Sequence, residues 1–231
     1  MNNIDILQYQ FSNSVEAASA LADRVANDLR AGITADGRAV LAVSGGRTPC
    51  ILFEALSTRV LDWRRVTVTL VDERCVPETS SRSNARLVRE RLLRGRAAVA
   101  HFIPLYSEGI SEEEMDARFE QLLRRGFDAV VLGLGLDGHT ASFYPDAVGI
   151  VHALDLTTPP SILRIASVSS QEPRITFSAS ALVKTRGLYL QVEGADKMAV
   201  IRRALTDGPT DVLPIRAFMR QRFRPFEIFV C

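Results

Sequence analysis

The sequence predicts an α/β fold: a doubly wound, largely parallel sheet flanked by helices on both faces. Three observations lead there. Short β-branched runs alternate with amphipathic segments along the chain, which is the pattern of successive βα units. The runs are apolar at odd and even positions alike, as in strands covered on both faces. Each is followed by glycine or a polar turn. With no internal repeat, low-complexity tract or long linker, residues 1–231 are expected to form a single domain.

The elements follow in order. Val15, Ala18, Leu21, Ala22, Val25 and Leu29 make one apolar helical face, with Asn13 and Glu16 in capping-box spacing before it. Strands are expected at residues 39–43 and 66–71. A serine-flanked helix with arginines on its outer side is expected at 84–93. Ser111 and Glu114 repeat the box ahead of Met115, Phe119 and Leu122, and Gly126 marks the stop. Further strands are expected at 129–134, 162–168, 188–192 and 227–230. A helix over 197–205 closes at Asp207-Gly208-Pro209.

Composition excludes several classes of protein. At 47% hydrophobic and 24% charged, the chain matches ordinary globular proteins. A net charge of +1 gives no global field for nucleic acid or an anionic membrane, so an anionic ligand must be held by a local cluster. No apolar run approaches the roughly 20 residues of a membrane span. The opening "MNNIDILQYQFSNS" has neither the basic nor the apolar region of a secretory signal, so a cytoplasmic protein is expected. Cys50, Cys75 and Cys231 are odd in number, far apart and never in CxxC spacing, which argues against a disulfide framework or zinc ribbon.

In open α/β sheets ligands bind beyond the carboxyl ends of strands, so those loops carry the functional reading. The first is "SGGRTP". Its Ser44, Gly45 and Gly46 let backbone approach a ligand, and Thr48-Pro49 reads as an N-cap followed by a proline at the first helical position. Glycine turn and helix N-terminus together aim N–H groups at one point, which suits a phosphate. The loop is neither a Walker A sequence nor GxGxxG, so no nucleotide is implied. The second loop starts Asp72-Glu73-Arg74, and Arg74 is suited to a bidentate hold on an anion. Its three serines and Asn84 read either as a solvated turn or as a mobile lid.

The third loop, "LGLGLDGHTASFYPD", puts polar residues at the end of a very apolar strand. Asp137-Gly138 is a turn signal. His139 stands at the sheet's carboxyl edge, where an imidazole suits acid–base work near neutral pH. His101 and His152 have no such frame. Farther on, Arg174 either faces an anion or caps a helix. Lys197 sits against the dipole of its helix start, a placement that anion binding would explain.

Taken together and in order, "SGGRTP", "DERCVP" with "SN" beyond it, "LGLGLDGHTASFYP", "PRIT" and "VEGADKMAVI" resemble the 6-phosphogluconolactonase family. That family lies within a larger group containing glucosamine-6-phosphate deaminase and ribose-5-phosphate isomerase. Arg47 and Cys75 depart from the residues usual there. The deaminase branch typically continues DGHIAFNEPG; its Asn-Glu pair is absent here. The resemblance implies hydrolysis of 6-phospho-D-glucono-1,5-lactone with His139 as general base. Asp72 would either orient His139 or contact sugar hydroxyls. Ser44, Gly45, Gly46, Arg74, Asn84, Gly138, Thr140, Arg174 and Lys197 would form the substrate and phosphate site. No cofactor or metal is expected, nor any nucleic-acid or membrane partner. The chain would act on a small sugar-phosphate lactone as a monomer or small homo-oligomer. The competing readings are a deaminase and a non-catalytic sugar-phosphate sensor.

Overall fold

A computed structural model describes residues 6–231. Its elements begin with β1 (Ile6–Gln10), α1 (Ser14–Asp36), β2 (Ala39–Val43), α2 (Pro49–Ser57), β3 (Val66–Leu70), β4 (Asp72–Arg74) and α3 (Asn84–Arg91). Next come β5 (His101–Phe102), α4 (Glu112–Arg125), β6 (Phe127–Leu132), α5 (Ile150–Ala153), β7 (Ile162–Ile165) and β8 (Arg174–Phe177). The last are α6 (Ala179–Leu182), β9 (Thr185–Val192), α7 (Ala195–Leu205), α8 (Ile215–Arg220) and β10 (Phe226–Val230).

Seven strands form one sheet in the order β1-β10-β9-β6-β2-β3-β5, and every neighbouring pair is parallel. β2, β6 and β10 are buried at every residue, so both faces of the sheet are covered. α1 packs across β2, β6, β9 and β10 and alongside α2. From β2 the chain builds outward through β3 and β5. It then returns to the other side of β2 with β6 and continues through β9 to β10. The winding therefore reverses between β2 and β6, and in open α/β sheets the crevice at that reversal is where ligands sit.

Several boundaries differ from the sequence expectation. The strand expected at 129–134 starts two residues earlier, and Gly133 and Leu134 belong to the loop. The segment expected at 162–168 is not a doubly buried strand. Its first four residues form β7, a half-exposed member of a separate antiparallel sheet, β4-β8-β7. Asp72–Arg74, read as a loop, is β4 of that sheet: the chain leaves the parallel sheet at Val71 and pairs at once with β8. β1, β5 and β8 had no clear sequence signal.

Local capping explains the helix ends. Asn13 Oδ1 accepts from the Val15 and Glu16 amides at 3.0 and 2.9 Å, but Glu16 takes the Ser12 amide, so the expected box is not closed. At α4 it is closed: the Ser111 hydroxyl and Glu114 carboxylate exchange backbone bonds, and Gly126 ends the helix at φ +85°. Thr48 does not cap α2 with its side chain; its backbone is already helical, although Pro49 does take the first helical position.

The amino edge of the sheet is tied together by Asp128, which is 1% exposed. Its carboxylate accepts from the Val40 amide at 2.7 Å, Arg125 Nη1 at 2.7 Å and Arg186 Nε at 2.9 Å. α1 passes so close that a Cβ at Gly32 would fall 2.2 Å from Asp128 Oδ1, which explains a glycine inside that helix. Among the described residues no helix is long and apolar enough to cross a membrane. Replacing Asp128 with alanine leaves the buried Val40 amide without its acceptor and takes one of two carboxylate partners from Arg125 and Arg186. The D128A variant is expected to lose about 3 kcal/mol of stability, read as a lower midpoint in urea unfolding.

Candidate active site

At the carboxyl side of the β2/β6 reversal lies a cavity of about 230 Å³. Every site residue expected from the sequence lines it except Gly138. The two strand ends are stitched together there: the Gly133 amide donates to Ser44 Oγ at 3.0 Å, and the Ser44 amide to the Val131 carbonyl at 3.0 Å. A larger cavity, about 580 Å³, opens at the amino edge around Phe127 and Asp128. Its Arg125 and Arg186 are already paired with Asp36 and Asp128, and it holds no histidine. Chemistry therefore points to the smaller cavity.

His139 stands in a loop that closes on itself. The Gly135 amide donates to the His139 carbonyl at 2.8 Å, and the Gly138 amide to the Gly135 carbonyl at 3.1 Å. Gly138 has φ +84° and lies behind the cavity wall, where its carbonyl accepts from the Ile215 amide of α8 at 3.0 Å. Ala141 has φ +48°, a backbone conformation that costs a non-glycine residue energy and tends to persist where function requires it.

Asp137 accepts twice from His139, from its amide at 3.1 Å and its Nδ1 at 2.6 Å. Burial pushes the Asp137 carboxyl up, but its hydrogen bond and charge interaction with His139 outweigh that and hold it below the ordinary value. An ionised carboxylate only accepts, so Nδ1 carries the hydrogen, and in the neutral form of the imidazole the lone pair is on Nε2. Tyr144 stacks on the imidazole with ring centroids 4.5 Å apart, and the Arg174 guanidinium lies 5.7 Å from the Tyr144 ring centre.

This corrects one expectation. Asp72 does not orient His139; its Oδ2 accepts from Ser142 Oγ at 2.6 Å, and Asp137 is the residue on the imidazole. Asp72 still lines the cavity. Glu73 turns away from it. The Glu73 carboxylate takes the Arg74, Asn84 and Ala85 amides at 2.7, 2.8 and 2.6 Å, and burial raises its pKa despite those bonds. It thereby anchors the start of α3. Asn84 Nδ2 in turn donates to the Asp72 carbonyl at 2.9 Å. The serine loop between β4 and α3 is fastened to the β7–β8 loop by an Arg82–Glu172 ion pair.

Cationic groups flank the cavity on two sides. Arg74 and Arg174 stand directly opposite each other across the antiparallel β4–β8 pair, a placement that repels. Arg74 donates to the Arg82 carbonyl, whereas the side chain of Arg174, a residue 6% exposed, makes no hydrogen bond among the described residues. Both Nε atoms are buried without a partner. An anion between them relieves the repulsion and the lost hydrogen bonds together. On the other side Lys197 donates to Thr48 Oγ1 at 3.3 Å. Burial lowers its pKa, with Glu193 opposing and Arg47 reinforcing that shift. Thr140 Oγ1 is also buried without a partner.

The sequence reading missed three lining or supporting residues. Asp137 was readable as an acceptor two residues before the histidine. Gln191 has a signal in the sequence, an amide within an apolar strand. Tyr144 carried no signal, because its stacking depends on how the loop folds.

A histidine held by a carboxylate, beside buried cationic groups at the switch point of a parallel sheet, has the arrangement of an enzyme site of the open α/β class suited to an anionic substrate. Residues 12–225 match the family model described as glucosamine-6-phosphate isomerases/6-phosphogluconolactonase. The chain belongs to that family. It is 45% identical over 222 residues to a 6-phosphogluconolactonase of Rhizobium meliloti, covering 95% of this chain and 96% of the relative. Identity to that of Pseudomonas aeruginosa is 40% over 213 residues, covering 91% and 90%. The crystal structure of a 6-phosphogluconolactonase from Shewanella baltica superposes with a TM-score of 0.91 at 38% identity, over 99% of each chain.

The tight loop makes its own prediction. A Cβ at Gly135 would fall 2.2 Å from His139 Nδ1, in the space between the imidazole and Asp137. Substitution G135A is expected to leave a folded protein, by circular dichroism, whose rate of lactone hydrolysis drops at least about tenfold through displacement of the ring.

Proposed function

We propose that the chain hydrolyses 6-phospho-D-glucono-1,5-lactone to 6-phospho-D-gluconate, in the oxidative branch of the pentose phosphate pathway. The observation that carries this reading is His139. Its Nδ1 is held by Asp137, so its Nε2 lone pair has no partner among the described residues, in a cavity bordered by unpaired cationic groups.

In the proposed reaction Nε2 takes a proton from water as the water oxygen bonds to C1. The carbonyl π pair moves onto oxygen. When this oxyanion collapses, the bond from C1 to the ring oxygen breaks, and the imidazolium returns the proton to that oxygen. The new carboxylic acid then ionises to solvent. Asp137 stabilises the transient imidazolium and keeps the ring in place.

The substrate's phosphate sits on the Ser44-Gly45-Gly46 loop at the start of α2, with Lys197 beside it. Arg74 and Arg174, near Tyr144 and Asp72, face the C1 end, where negative charge develops and remains in the product carboxylate. Thr140 and Asn84 are polar contacts on the same wall. The deaminase reading finds less support, because Phe143 and Tyr144 occupy the positions of its Asn-Glu pair. Phe143 is fully buried and Tyr144 is packed on the imidazole. The free thiols of Cys50, Cys75 and Cys231 fit a reducing compartment such as the cytoplasm.

The test is a coupled assay in which glucose-6-phosphate dehydrogenase generates the lactone at slightly acid pH, where spontaneous hydrolysis is slow. Acceleration above background is expected, and H139A should lower kcat by ~10²–10⁴-fold. No acceleration rejects the reading; ammonia release from glucosamine 6-phosphate would establish the deaminase. The two cationic sides should separate kinetically. K197A is expected to raise KM with kcat little changed, and R174A to reduce kcat, each by about tenfold or more.

A further inference from the structure

Gln191 places a side-chain amide inside the apolar run Leu188-Tyr189-Leu190-Gln191-Val192 of β9. It is 4% exposed, and its Oε1 is buried with no hydrogen-bond partner among the described residues. A buried carbonyl oxygen left without a donor costs about 1–3 kcal/mol, so native proteins rarely keep one without use. Leucine or methionine would fill the same volume without that cost. The core around β9 does not need the amide.

The site does have room for it. Gln191 lines the cavity that holds His139. Two residues earlier on the same face, the Tyr189 hydroxyl bonds Asp28 of α1, so Gln191 projects to the side of the sheet where α1 and α2 pack. That is the side on which the Ser44–Pro49 turn enters α2. The last paired residues are Leu132 with Leu190 and Val43 with Val131. Carrying this register onward sets Gln191 beside Gly133, and Gly133 beside Gly45. The Asn84 side chain covers Gly45, but a Cβ at Gly133 would come no nearer than 3.6 Å to another atom, so space is left over Gly133 into which a long polar side chain reaches. Lys197, at the opening of α7, closes the far end against Thr48.

We infer that Gln191 is a substrate-binding residue whose side-chain amide forms a hydrogen bond with the sugar hydroxyl nearest the phosphate-bearing arm. This rests on the hydrolysis proposed above. The bound sugar supplies the missing partner, so the unsatisfied amide of the free protein becomes binding energy in the complex. Gln191 holds the ring between the phosphate cradle and His139; it moves no proton.

Q191L and Q191M, two apolar replacements of similar volume, test this against a purely structural role. Two measurements are needed: kinetics in the lactone assay, and thermal unfolding with and without 6-phosphogluconate, the stable product. In both variants kcat/KM is expected to fall about tenfold, mainly through KM. The melting temperature without ligand should hold or rise, while the stabilisation given by 6-phosphogluconate shrinks. Variants that melt lower without ligand but keep KM and product stabilisation would make Gln191 structural and overturn the inference. Wild-type protein with no hydrolysis would overturn the reaction assignment and this inference with it. An active wild type with unaltered variants overturns only the role of Gln191.

Discussion

The site depends on the seam between β2 and β6, where the sheet's winding reverses. Two parallel strands that leave this seam in different directions must end in loops that diverge, and the divergence opens a crevice. Here two hydrogen bonds, from the Gly133 amide to Ser44 Oγ and from the Ser44 amide to the Val131 carbonyl, hold the strand ends together where the loops part. The same serine begins the glycine turn into α2, and the same glycine begins the run that leads to His139. Anion cradle and imidazole are thereby referenced to a common point on a rigid sheet. A catalytic geometry requires such a common frame, because misplacement by about 1 Å costs large factors in rate.

Around that seam the protein separates groups that are satisfied from groups that are not. Asp128, Glu73 and Asp72 have hydrogen-bond donors within the fold and serve its architecture. Arg174 Nε, Arg74 Nε, Thr140 Oγ1 and Gln191 Oε1 are buried without partners, and all four residues border one cavity. A fold selected for stability alone would remove such groups, since each is more costly than an apolar side chain of its size. Three further guanidinium Nε atoms without a hydrogen-bond partner, of Arg82, Arg125 and Arg216, do not border that cavity, but the four around His139 are the ones a ligand in it would reach. The strained backbone at Ala141 belongs to the same pattern.

Much of this was legible along the chain. α1 and α4 announced themselves by apolar spacing and capping residues, since those signals arise within one or two turns of helix. The strands at 39–43 and 66–71 were legible because burial on both faces demands an unbroken apolar run. The segment at 162–168 misled for the same reason: an apolar run of that length serves equally well at the edge of a small antiparallel sheet. Asp72–Arg74 looked like a charged loop because its burial comes from β8, a partner about a hundred residues away, and from the start of α3. The loops themselves were readable, since the glycines and polar residues they need stand next to one another in sequence.

By itself, then, the sequence determined the α/β class, the strand-end loops and the candidacy of His139, all of which rest on local backbone preference and hydrophobic pattern. Only the tertiary structure decided which carboxylate holds the imidazole, because Asp72 and Asp137 are both near it in the chain's logic but only Asp137 lies within hydrogen-bond reach. Tertiary structure likewise set Arg74 against Arg174 and brought Gln191 to the cavity of His139. Those relations are distances across strand pairings, and a linear chain carries pairings only after the sheet has chosen its order.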